Sequence, residues 1–363
     1  MPEADVLVVS PNWLGDAVMA LPAIHDIRRR FAGSRLIIAA RHSVAALFTL
    51  VPEIDQVVTL GWRGQPLRRA ALQQDVVRIR DVAANTSILL TNSFGTAWLV
   101  KQAGLAERWG YATDLRRTLL TRAIPRPAYS VHQGAYYQHL TRELGIASGP
   151  LAAAIEIPGD TARLTRELLV ASGWDGVRPL VVMAPGAAYG TAKRWLPSHF
   201  ADLVARLTRE RSVQCVLVGS AGDRDTTTMV REALTPSSSV REQLIDLTGR
   251  TTLEQLAAVL AMAAVCVSND SGAMHLAAAA GAPVAALFGP TREYETAPLP
   301  RAGRRADVLT NPVWCRPCML RECPIDHRCM RGLQPSRVFQ SVVDLIGATG
   351  SSTEPHATTA GAR

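Results

Sequence analysis

The stretch AVCVSNDSGAMHLAAAAGAPVAALFGPT, residues 264–291, decides the fold. Val265–Val267 is a short apolar run with β-branched residues, which predicts a buried parallel strand. The small polar residues and glycine of 268–272 predict a tight turn that caps a helix. Ala273–Ala280 predicts that helix, which a glycine and a proline end, and Val284–Phe288 predicts a second buried strand. The stretch is therefore a β–α–β unit.

The polar turn of this unit follows the carboxyl end of its first strand, where ligands bind in open α/β sheets. Ser271 and Gly272 begin the helix, whose free N–H groups and positive dipole end favour a phosphate. Asp270 precedes them, and His275 lies one turn inside the helix on the same side. These four residues are candidate ligand contacts. An ordinary capped turn in a Rossmann-like domain is the alternative interpretation.

The composition is that of a globular protein with an anionic partner. At 363 residues, with 48% apolar and 19% charged residues, the chain is long enough for two domains with a large core. The net charge of +8 favours phosphate groups, nucleic acid or an acidic membrane surface as partner, with arginine-rich solubilisation as the alternative. No basic low-complexity arm or zinc-finger spacing supports nucleic acid, so a nucleic-acid binder ranks last.

The amino-terminal sequence MPEADVLVVSPNWLGD does not read as a signal peptide. It lacks a basic start, and Pro11 and Asn12 interrupt its apolar run. The longest apolar run, Leu256–Val267, is shorter than the ~20 residues of a membrane-spanning helix. We therefore expect a cytoplasmic protein, with contact to a membrane from that side left open.

The first part of the chain repeats the α/β pattern. Val6–Ser10 predicts a buried strand, and apolar residues at helical spacing from Leu14 to Phe31 predict the helix after it. Asp16 lies at the mouth of this strand. A carboxylate in this position either caps the helix or acts as a general base over a cleft.

Residues 145–158 are rich in Gly, Pro and Ala and have no strong period, so we place a domain boundary near them. We expect a first domain of residues 1–160 and a second of residues 161–346, whose sheet begins with Leu180–Ala184. The Gly/Ser/Thr-rich residues 347–363 predict a disordered tail.

Three motifs together resemble glycosyltransferase family 9, the bacterial heptosyltransferases. They are PNWLGDAVMALPA around Asp16, PGAAYGTAKRW around Lys193, and SNDSGAMHLAAAAGAP around Asp270–His275. The resemblance extends over Val6–Val343. It implies an α/β fold of GT-B architecture, in which two Rossmann-like domains face each other across a cleft. It also implies that a C-terminal helix, here Ser336–Ile346, returns toward the N-terminal domain.

The resemblance, which is strongest to the type II branch, implies an inverting glycosyltransferase. Such an enzyme moves L-glycero-D-manno-heptose from ADP-heptose onto the first heptose of the lipopolysaccharide inner core. The implied partners are ADP-heptose, a lipid A–Kdo–heptose acceptor and the cytoplasmic face of the inner membrane, and no cofactor is required. Two alternatives stay open: a family member with a type I or type III acceptor, and a non-catalytic nucleotide-sugar-binding protein.

The resemblance also implies roles for single residues. Asp16 is then the catalytic base, and Lys193 holds the departing diphosphate together with the helix N-terminus. The implied donor contacts are Asp270, Ser271, Gly272, His275, Asp223, Gly186 and Thr191. For Asp223, capping of the following helix is the alternative. The weaker predictions of acceptor contacts are Asn92, Ser93, Arg116 and Arg117. The alternative for Asn92 and Ser93 is a capped strand-to-helix turn, and the alternative for the two arginines is a solvated place on the surface.

Six cysteines fall into two groups. Cys215 and Cys266 lie in predicted strands and are expected in the core. The other four lie in CRPCMLRECPIDHRC, where C-x2-C and two further cysteines are compatible with a structural zinc site. Reduced structural thiols and disulfide or redox chemistry are the alternatives, and His327 is a competing ligand. The candidate metal ligands are Cys315, Cys318, Cys323 and Cys329.

Overall fold

A computed structural model of the protein describes residues 5–62, 69–235 and 239–350. The first half of the chain forms a six-stranded parallel sheet. Its strands are β1 (Val6–Val9), β2 (Leu36–Arg41), β3 (Gln56–Leu60), β4 (Thr86–Leu89), β5 (Glu107–Tyr111) and β6 (Arg122–Ile124). The helices of this half are α1 (Leu14–Met19), α2 (Leu21–Arg30), α3 (His42–Phe48), α4 (Arg69–Asp81), α5 (Phe94–Gln102) and α6 (Gln133–Glu143).

The second half forms another six-stranded parallel sheet. Its strands are β7 (Leu180–Ala184), β8 (Gln214–Leu217), β9 (Ile245–Asp246), β10 (Ala263–Asn269), β11 (Val284–Phe288) and β12 (Ala306–Thr310). Its helices are α7 (Gly159–Ala171), α8 (Pro197–Arg211), α9 (Arg224–Ala233), α10 (Ser239–Gln243), α11 (Leu253–Ala261), α12 (Gly272–Ala280), α13 (Glu293–Thr296), α14 (Arg328–Arg331) and α15 (Pro335–Gly350).

The two sheets have the same topology. The strand orders are β3-β2-β1-β4-β5-β6 and β12-β11-β10-β7-β8-β9, so each half is a doubly wound Rossmann-like sheet. The chain reverses its direction of winding between β1 and β4, and again between β7 and β10. These reversals are the switch points at which open α/β sheets bind ligands. The predicted α/β architecture of two Rossmann-like halves is confirmed.

The two halves share an apolar core. Side chains of the first half, such as Ile24 and Phe48, belong to one buried cluster with Met274 and Leu276 of α12. Helices α1 and α12 pack directly against each other across the halves. A fully buried side chain of this size contributes about 1.5–3 kcal/mol to stability, so this shared core fixes how the two switch points face each other.

The chain passes from one half to the other between α6 and α7. Here the backbone N–H of Ile155 donates to the Ala279 carbonyl at 3.2 Å, and that of Glu156 donates to the Leu50 carbonyl at 2.8 Å. The connecting segment is therefore hydrogen-bonded to both halves. A domain division at residue 160 stays a prediction.

The C-terminal helix differs from expectation in both length and position. It continues to Gly350, four residues into the segment predicted as a tail, and residues 351–363 lie outside the described part of the chain. It packs against α8 and against β10 and β11, so it stays on the second half instead of returning toward the first. The reason is its apolar stripe, because Val338, Val342 and Leu345 are buried in the core of the second half.

Two other elements were mispredicted. The single helix expected from Leu14 to Phe31 is two helices, and α2 starts at Leu21 with Pro22 in its first turn. Proline lacks a backbone N–H, so it is tolerated at the start of a helix and disfavoured within one. Strand β12 was not predicted. None of the helices within the described ranges is long and apolar enough to cross a membrane.

Candidate active site

A cavity of about 560 Å³ lies between the two halves, and we call it the interdomain cavity. The loops after β1, β7, β8 and β10 line it, so both switch points contribute. Its lining includes Trp13, Gly15, Asp16, Gly186, Tyr189, Lys193, Ser220, Asp223, Thr252, Asp270, Ser271, Gly272 and His275. Six of these residues were predicted as donor contacts, namely Gly186, Asp223, Asp270, Ser271, Gly272 and His275, and Asp16 and Lys193 were predicted as catalytic residues. Thr191 is absent from this lining; its side chain is exposed at the start of a 3₁₀ turn.

A second cavity of about 990 Å³ lies in the first half, and we call it the N-terminal cavity. The loops after β1, β4 and β5 line it. Its lining includes Asn12, Trp13, Asp16, Asn92, Ser93, Asp114, Leu115, Arg116, Arg117 and Arg126. Trp13 and Asp16 line both cavities, so Asp16 lies where the two meet. All four weaker predictions of acceptor contacts fall in this second cavity.

Asp16 is a half-buried carboxylate in the first turn of α1. Burial raises its pKa from the ordinary 3.8 to about 6, while the positive charge of Lys193 lowers the pKa and the carboxylate of Asp270 raises it. Trp13 is the N-cap residue of α1, and it makes no side-chain capping bond. The Asp16 carboxylate itself accepts no hydrogen bond from a backbone N–H within the described ranges, so the capping alternative is not observed. A carboxylate with a pKa near 6 is suited to general-base catalysis near neutral pH.

Lys193 and Asp270 form an ion pair across the second switch point. The Lys193 Nζ lies 2.6 Å from Asp270 Oδ2, and both side chains are largely buried. The hydroxyl of Thr291 donates to the same carboxylate oxygen at 2.7 Å. Sequence reasoning missed Thr291, although it closes the GPT motif directly after β11. Asp270 thus holds the lysine ammonium in the cavity while Thr291 fixes the carboxylate.

The Lys193 loop is held from its other side by the cysteine-rich segment, residues 315–329. The Tyr189 hydroxyl donates to the Met319 carbonyl at 2.8 Å, and the Ala192 N–H donates to the Arg321 carbonyl at 2.9 Å. The Lys193 Nζ lies 4.8 Å from the centre of the Tyr189 ring, within the range of a cation–π contact. Sequence reasoning missed Tyr189, because only the tertiary fold brings the segment to this loop.

Asn269, the last residue of β10, ties the two loops of the second switch point together. Its Nδ2 donates to the Pro185 carbonyl at 2.8 Å, and its Oδ1 accepts from the Trp195 N–H at 3.0 Å. The side chain is fully buried, so a buried polar group is satisfied by bonds to the backbone of the Lys193 loop. The sequence indicated only a turn-forming residue here.

His275 is an uncharged imidazole inside the interdomain cavity. Burial lowers its pKa to about 4, so the ring is neutral at physiological pH. Its Nδ1 has no hydrogen-bond partner among the described residues. The ring also contacts α1, because a Cβ added at Gly15 would lie 2.9 Å from the His275 Cδ2. Glycine at this position lets the two halves approach closely at the site.

Asp223 lines the interdomain cavity and does not cap the helix that follows it, because as the N-cap residue of α9 it makes no side-chain capping bond. Its carboxylate accepts from the Ser220 N–H at 2.9 Å and from the Ser220 hydroxyl at 2.7 Å. A Cβ added at Gly186 would lie 2.2 Å from Asp223 Oδ1, so the glycine leaves room for this carboxylate. The two predicted donor contacts are therefore neighbours.

The arginines at the N-terminal cavity differ in their burial. Arg116 is fully buried; its Nε donates to the Tyr111 carbonyl at 2.9 Å, and burial lowers its pKa to about 10. Its Nη2 has no partner in the described part of the chain. The solvated-surface alternative is therefore wrong for Arg116, because its guanidinium lies against Gly110 and donates to the carbonyls of Tyr111 and Ser93. Arg117 and Arg126 are exposed at the same cavity.

Asn92 and Ser93 both have partners within the protein. The hydroxyl of Ser93 caps α5 by accepting from the Thr96 N–H at 3.4 Å. The Nδ2 of Asn92 donates to the Tyr136 hydroxyl at 3.0 Å. The capped turn, which was the alternative interpretation of these two residues, is thus present, and it leaves both of them on the cavity wall.

The six cysteines are free thiols. Burial raises the pKa of both Cys215 and Cys266 to about 12, and both lie in the core as predicted. The other four line one small cavity of about 20 Å³. No group of three or more His, Cys, Asp or Glu side chains that could hold a metal ion occurs within the described ranges. The zinc prediction is therefore unsupported.

This geometry suits the transfer of a glycosyl group. A nucleotide diphosphate matches the lysine and helix N-terminus of the second switch point, and a hydroxyl acceptor can reach Asp16 from the first. The fold and the site together define a GT-B glycosyltransferase.

The chain belongs to glycosyltransferase family 9 (heptosyltransferase), whose family model matches residues 72–328. It is 28% identical to lipopolysaccharide heptosyltransferase 2 of Salmonella typhimurium over 95% of this chain and 99% of that protein. It is 30% identical to lipooligosaccharide heptosyltransferase 2 of Haemophilus ducreyi over 81% of this chain and 86% of that protein. The solved structure of Escherichia coli ADP-heptose LPS heptosyltransferase II aligns with a TM-score of 0.80 at 25% identity, covering 96% and 100% of the two chains.

Proposed function

We propose that the protein transfers L-glycero-D-manno-heptose from ADP-heptose onto the first heptose of the lipopolysaccharide inner core. The relatives named heptosyltransferase 2 support this donor and acceptor. The observation that carries the proposal is the meeting of Asp16 from one half with Lys193 and Asp270 from the other at a single cavity. Residues 1–160 would bind the acceptor, and residues 161–346 the nucleotide sugar.

In the proposed reaction Asp16 removes the proton of the acceptor hydroxyl. The hydroxyl oxygen then bonds to the anomeric carbon of the donor as the bond from that carbon to the phosphate oxygen breaks. A single displacement of this kind inverts the anomeric centre and releases ADP. With a pKa of about 6, Asp16 is mostly ionised at pH 7 and remains basic enough to accept the proton.

Lys193 and the N-terminus of α12 stabilise the departing diphosphate. Lys193 is paired with Asp270 within the cavity, and a bound diphosphate offers its ammonium a second anion. The N–H groups of Ser271 and Gly272 at the positive end of α12 add to this stabilisation. The lysine and the helix end supply positive charge at the diphosphate, so the proposal requires no cofactor.

Asp270 and His275 are proposed to contact the donor sugar and phosphates. A shift of Lys193 toward the diphosphate would free the Asp270 carboxylate to accept hydrogen bonds from sugar hydroxyls. The neutral ring of His275 can donate one hydrogen bond without adding charge. Closure of the halves around the donor would exclude water, which otherwise hydrolyses it.

The acceptor is proposed to be lipid A carrying Kdo and one heptose. Because such an acceptor is anchored in a bilayer, the protein would act in the cytoplasm in peripheral contact with the inner membrane. The N-terminal cavity is the proposed place for the acceptor sugars, because it opens to Asp16.

Two acceptors test the proposal: lipid A with Kdo and one heptose, and the same lipid without heptose. Transfer from ADP-heptose only to the heptose-bearing lipid, lost in Asp16→Ala, is the expected result. Product on the heptose-free lipid would support instead a type I enzyme, a candidate favoured by the 28% identity to lipopolysaccharide heptosyltransferase 1 of Pseudomonas aeruginosa. ADP binding without transfer to either lipid would contradict both and favour a non-catalytic binder.

A further inference from the structure

The mouth of the N-terminal cavity carries an unusual group of exposed apolar side chains, which we call the mouth patch: Trp13, Phe94, Trp98 and Leu115. Trp13 and Leu115 line the cavity itself and are 59% and 93% exposed. The Phe94 and Trp98 rings stack with their centres 6.4 Å apart. The Phe94 N–H donates to Asp114 at 2.6 Å, which places this aromatic pair beside Leu115.

Leu115 is held outward at a conformational cost. Its φ is +55°, and that of Asp114 is +48°, both in the left-handed region that side chains other than glycine disfavour. Its near-complete exposure means that the side chain adds nothing to the core. A leucine held in this way points to contact with something outside the chain.

The same cavity mouth is positively charged. Arg117 and Arg126 line the N-terminal cavity, and both are exposed. Neither has an ion-pair partner in the described part of the chain. Two carboxylates also line this cavity, and neither pairs with these arginines. Asp114 accepts a hydrogen bond from the Phe94 N–H, and Asp16 is half-buried at the inner end of the cavity. Apolar and aromatic side chains beside unpaired arginines match a surface with an apolar interior and anionic headgroups.

We propose that the mouth patch, with Arg117 and Arg126, docks the protein on an anionic bilayer surface. The apolar side chains would enter the headgroup boundary, and the arginines would contact lipid phosphates. Docking in this orientation turns the N-terminal cavity, and with it Asp16, toward the sugars of a membrane-anchored acceptor. This orientation rests on the proposed function, whereas the lipid contact itself does not.

Vesicle binding tests this inference with the full chain. Co-sedimentation is measured with vesicles of phosphatidylethanolamine and phosphatidylglycerol, and with phosphatidylcholine vesicles as the neutral surface. Leu115→Asn removes the apolar side chain but keeps the left-handed backbone, which asparagine tolerates. We expect it to weaken binding to the anionic vesicles about tenfold, the order expected for withdrawing a leucine from an interface.

Charge is tested separately with Arg117→Gln combined with Arg126→Gln. This pair should also weaken binding to anionic vesicles about tenfold and remove the preference over phosphatidylcholine. Val177→Asn and Arg209→Gln are matched controls from exposed positions on the second half, and they should bind as the unchanged protein does. Leu320→Asn tests the exposed apolar side chains of the cysteine-rich segment, and a loss there equal to that of Leu115→Asn would overturn the proposal.

Transfer assays separate this inference from the proposed function. With a deacylated, water-soluble acceptor, Trp98→Gln should keep most of its kcat, because Trp98 belongs to the mouth patch but does not line the N-terminal cavity. Its rate on vesicle-embedded acceptor should fall about tenfold. Normal transfer to the vesicle-embedded acceptor by Trp98→Gln, or vesicle binding that no mouth-patch variant alters, would overturn the docking surface alone. Absence of transfer with either acceptor, together with loss of vesicle binding in Leu115→Asn, would overturn the proposed function and leave the docking surface standing.

Discussion

At the scale of single residues, the burial of Asp16 has two effects. It raises the pKa of the carboxyl group into a range that suits catalysis, and it makes the ionised carboxylate destabilise the folded protein. Burial raises its pKa to about 6, and the neighbouring charges of Lys193 and Asp270 act on it in opposite directions. The three side chains therefore form one electrostatic unit, although they come from different halves of the chain.

The rate should depend on pH through Asp16. If Asp16 is the base, kcat/KM should fall tenfold per pH unit below about pH 6 and level off above it. His275, with a pKa of about 4, does not account for a limb in this range. In Lys193→Met, the limb of the residual activity should move to higher pH, because the lysine charge lowers the pKa of Asp16. A limb that stays in place in this variant would contradict the assignment.

The stability should rise when Asp16 is made neutral. The pKa of Asp16 is higher in the folded protein than in the unfolded chain, so the folded protein holds the proton of Asp16 more tightly. The free energy of unfolding therefore falls as the pH rises from about 4 to 6 and Asp16 becomes ionised. Asp16→Asn should therefore raise the free energy of unfolding by about 1–3 kcal/mol at pH 8 and by about half as much at pH 5. Urea denaturation at both pH values measures this. Asp160→Asn, at an exposed carboxylate, is the control and should change little.

At the scale of elements, the candidate site residues lie in loops that follow strands. Two of these loops, the Lys193 loop and the loop after β11, are held in place by hydrogen bonds to other parts of the chain. The Lys193 loop is held by Asn269 from β10 on one side and by the cysteine-rich segment on the other. That segment also reaches the loop after β11, where the Arg316 guanidinium donates to the Gly289 carbonyl at 2.7 Å and to the Thr291 carbonyl at 3.2 Å. The segment therefore positions both partners of Asp270 without touching the cavity through its cysteines.

Tyr189→Phe tests this bracing. The variant keeps the ring beside Lys193 and removes only the hydrogen bond to the Met319 carbonyl, so kcat should fall about twofold to tenfold. Tyr189→Leu, which also loses the cation–π contact, should fall further. Steady-state kinetics at saturating donor measures both, with Tyr294→Phe at an exposed tyrosine as control. Equal kcat and KM in Tyr189→Phe and the unchanged protein would show that the bond has no positioning role.

At the scale of the whole molecule, the two halves unfold together if their shared core governs stability. The buried cluster that contains Ile24 and Phe48 also contains residues of α12, so one half cannot unfold without exposing the other. Calorimetry should therefore give a single transition with equal calorimetric and van't Hoff enthalpies. Gly15→Ala should lower its midpoint by several degrees, because the new methyl group would press on His275. Gly33→Ala, where a methyl group meets nothing within 4 Å, should not.

Much of the fold was predictable from local sequence. Parallel strands buried on both faces are continuous apolar runs, so Leu180–Ala184 and Val284–Phe288 were predicted with the bounds that the structure has. Strand β12 was missed, because at the edge of the sheet it is only half-buried and lacks such a run. The predicted position of α15 was also wrong. An amphipathic stripe indicates that one face of a helix is buried, but it does not indicate which sheet that face packs against.

By itself, the sequence determined the two α/β halves, the loops that bear Asp16, Lys193 and Asp270, and the resemblance to the family. Each of these depends on residues close together in the chain. Only the tertiary structure decided that Lys193 pairs with Asp270, that Arg116 is buried, and that the four clustered cysteines meet at one small cavity beside the Lys193 loop. These outcomes depend on distances between side chains remote in sequence and on how much water each charge loses. Neither quantity is encoded in local spacing.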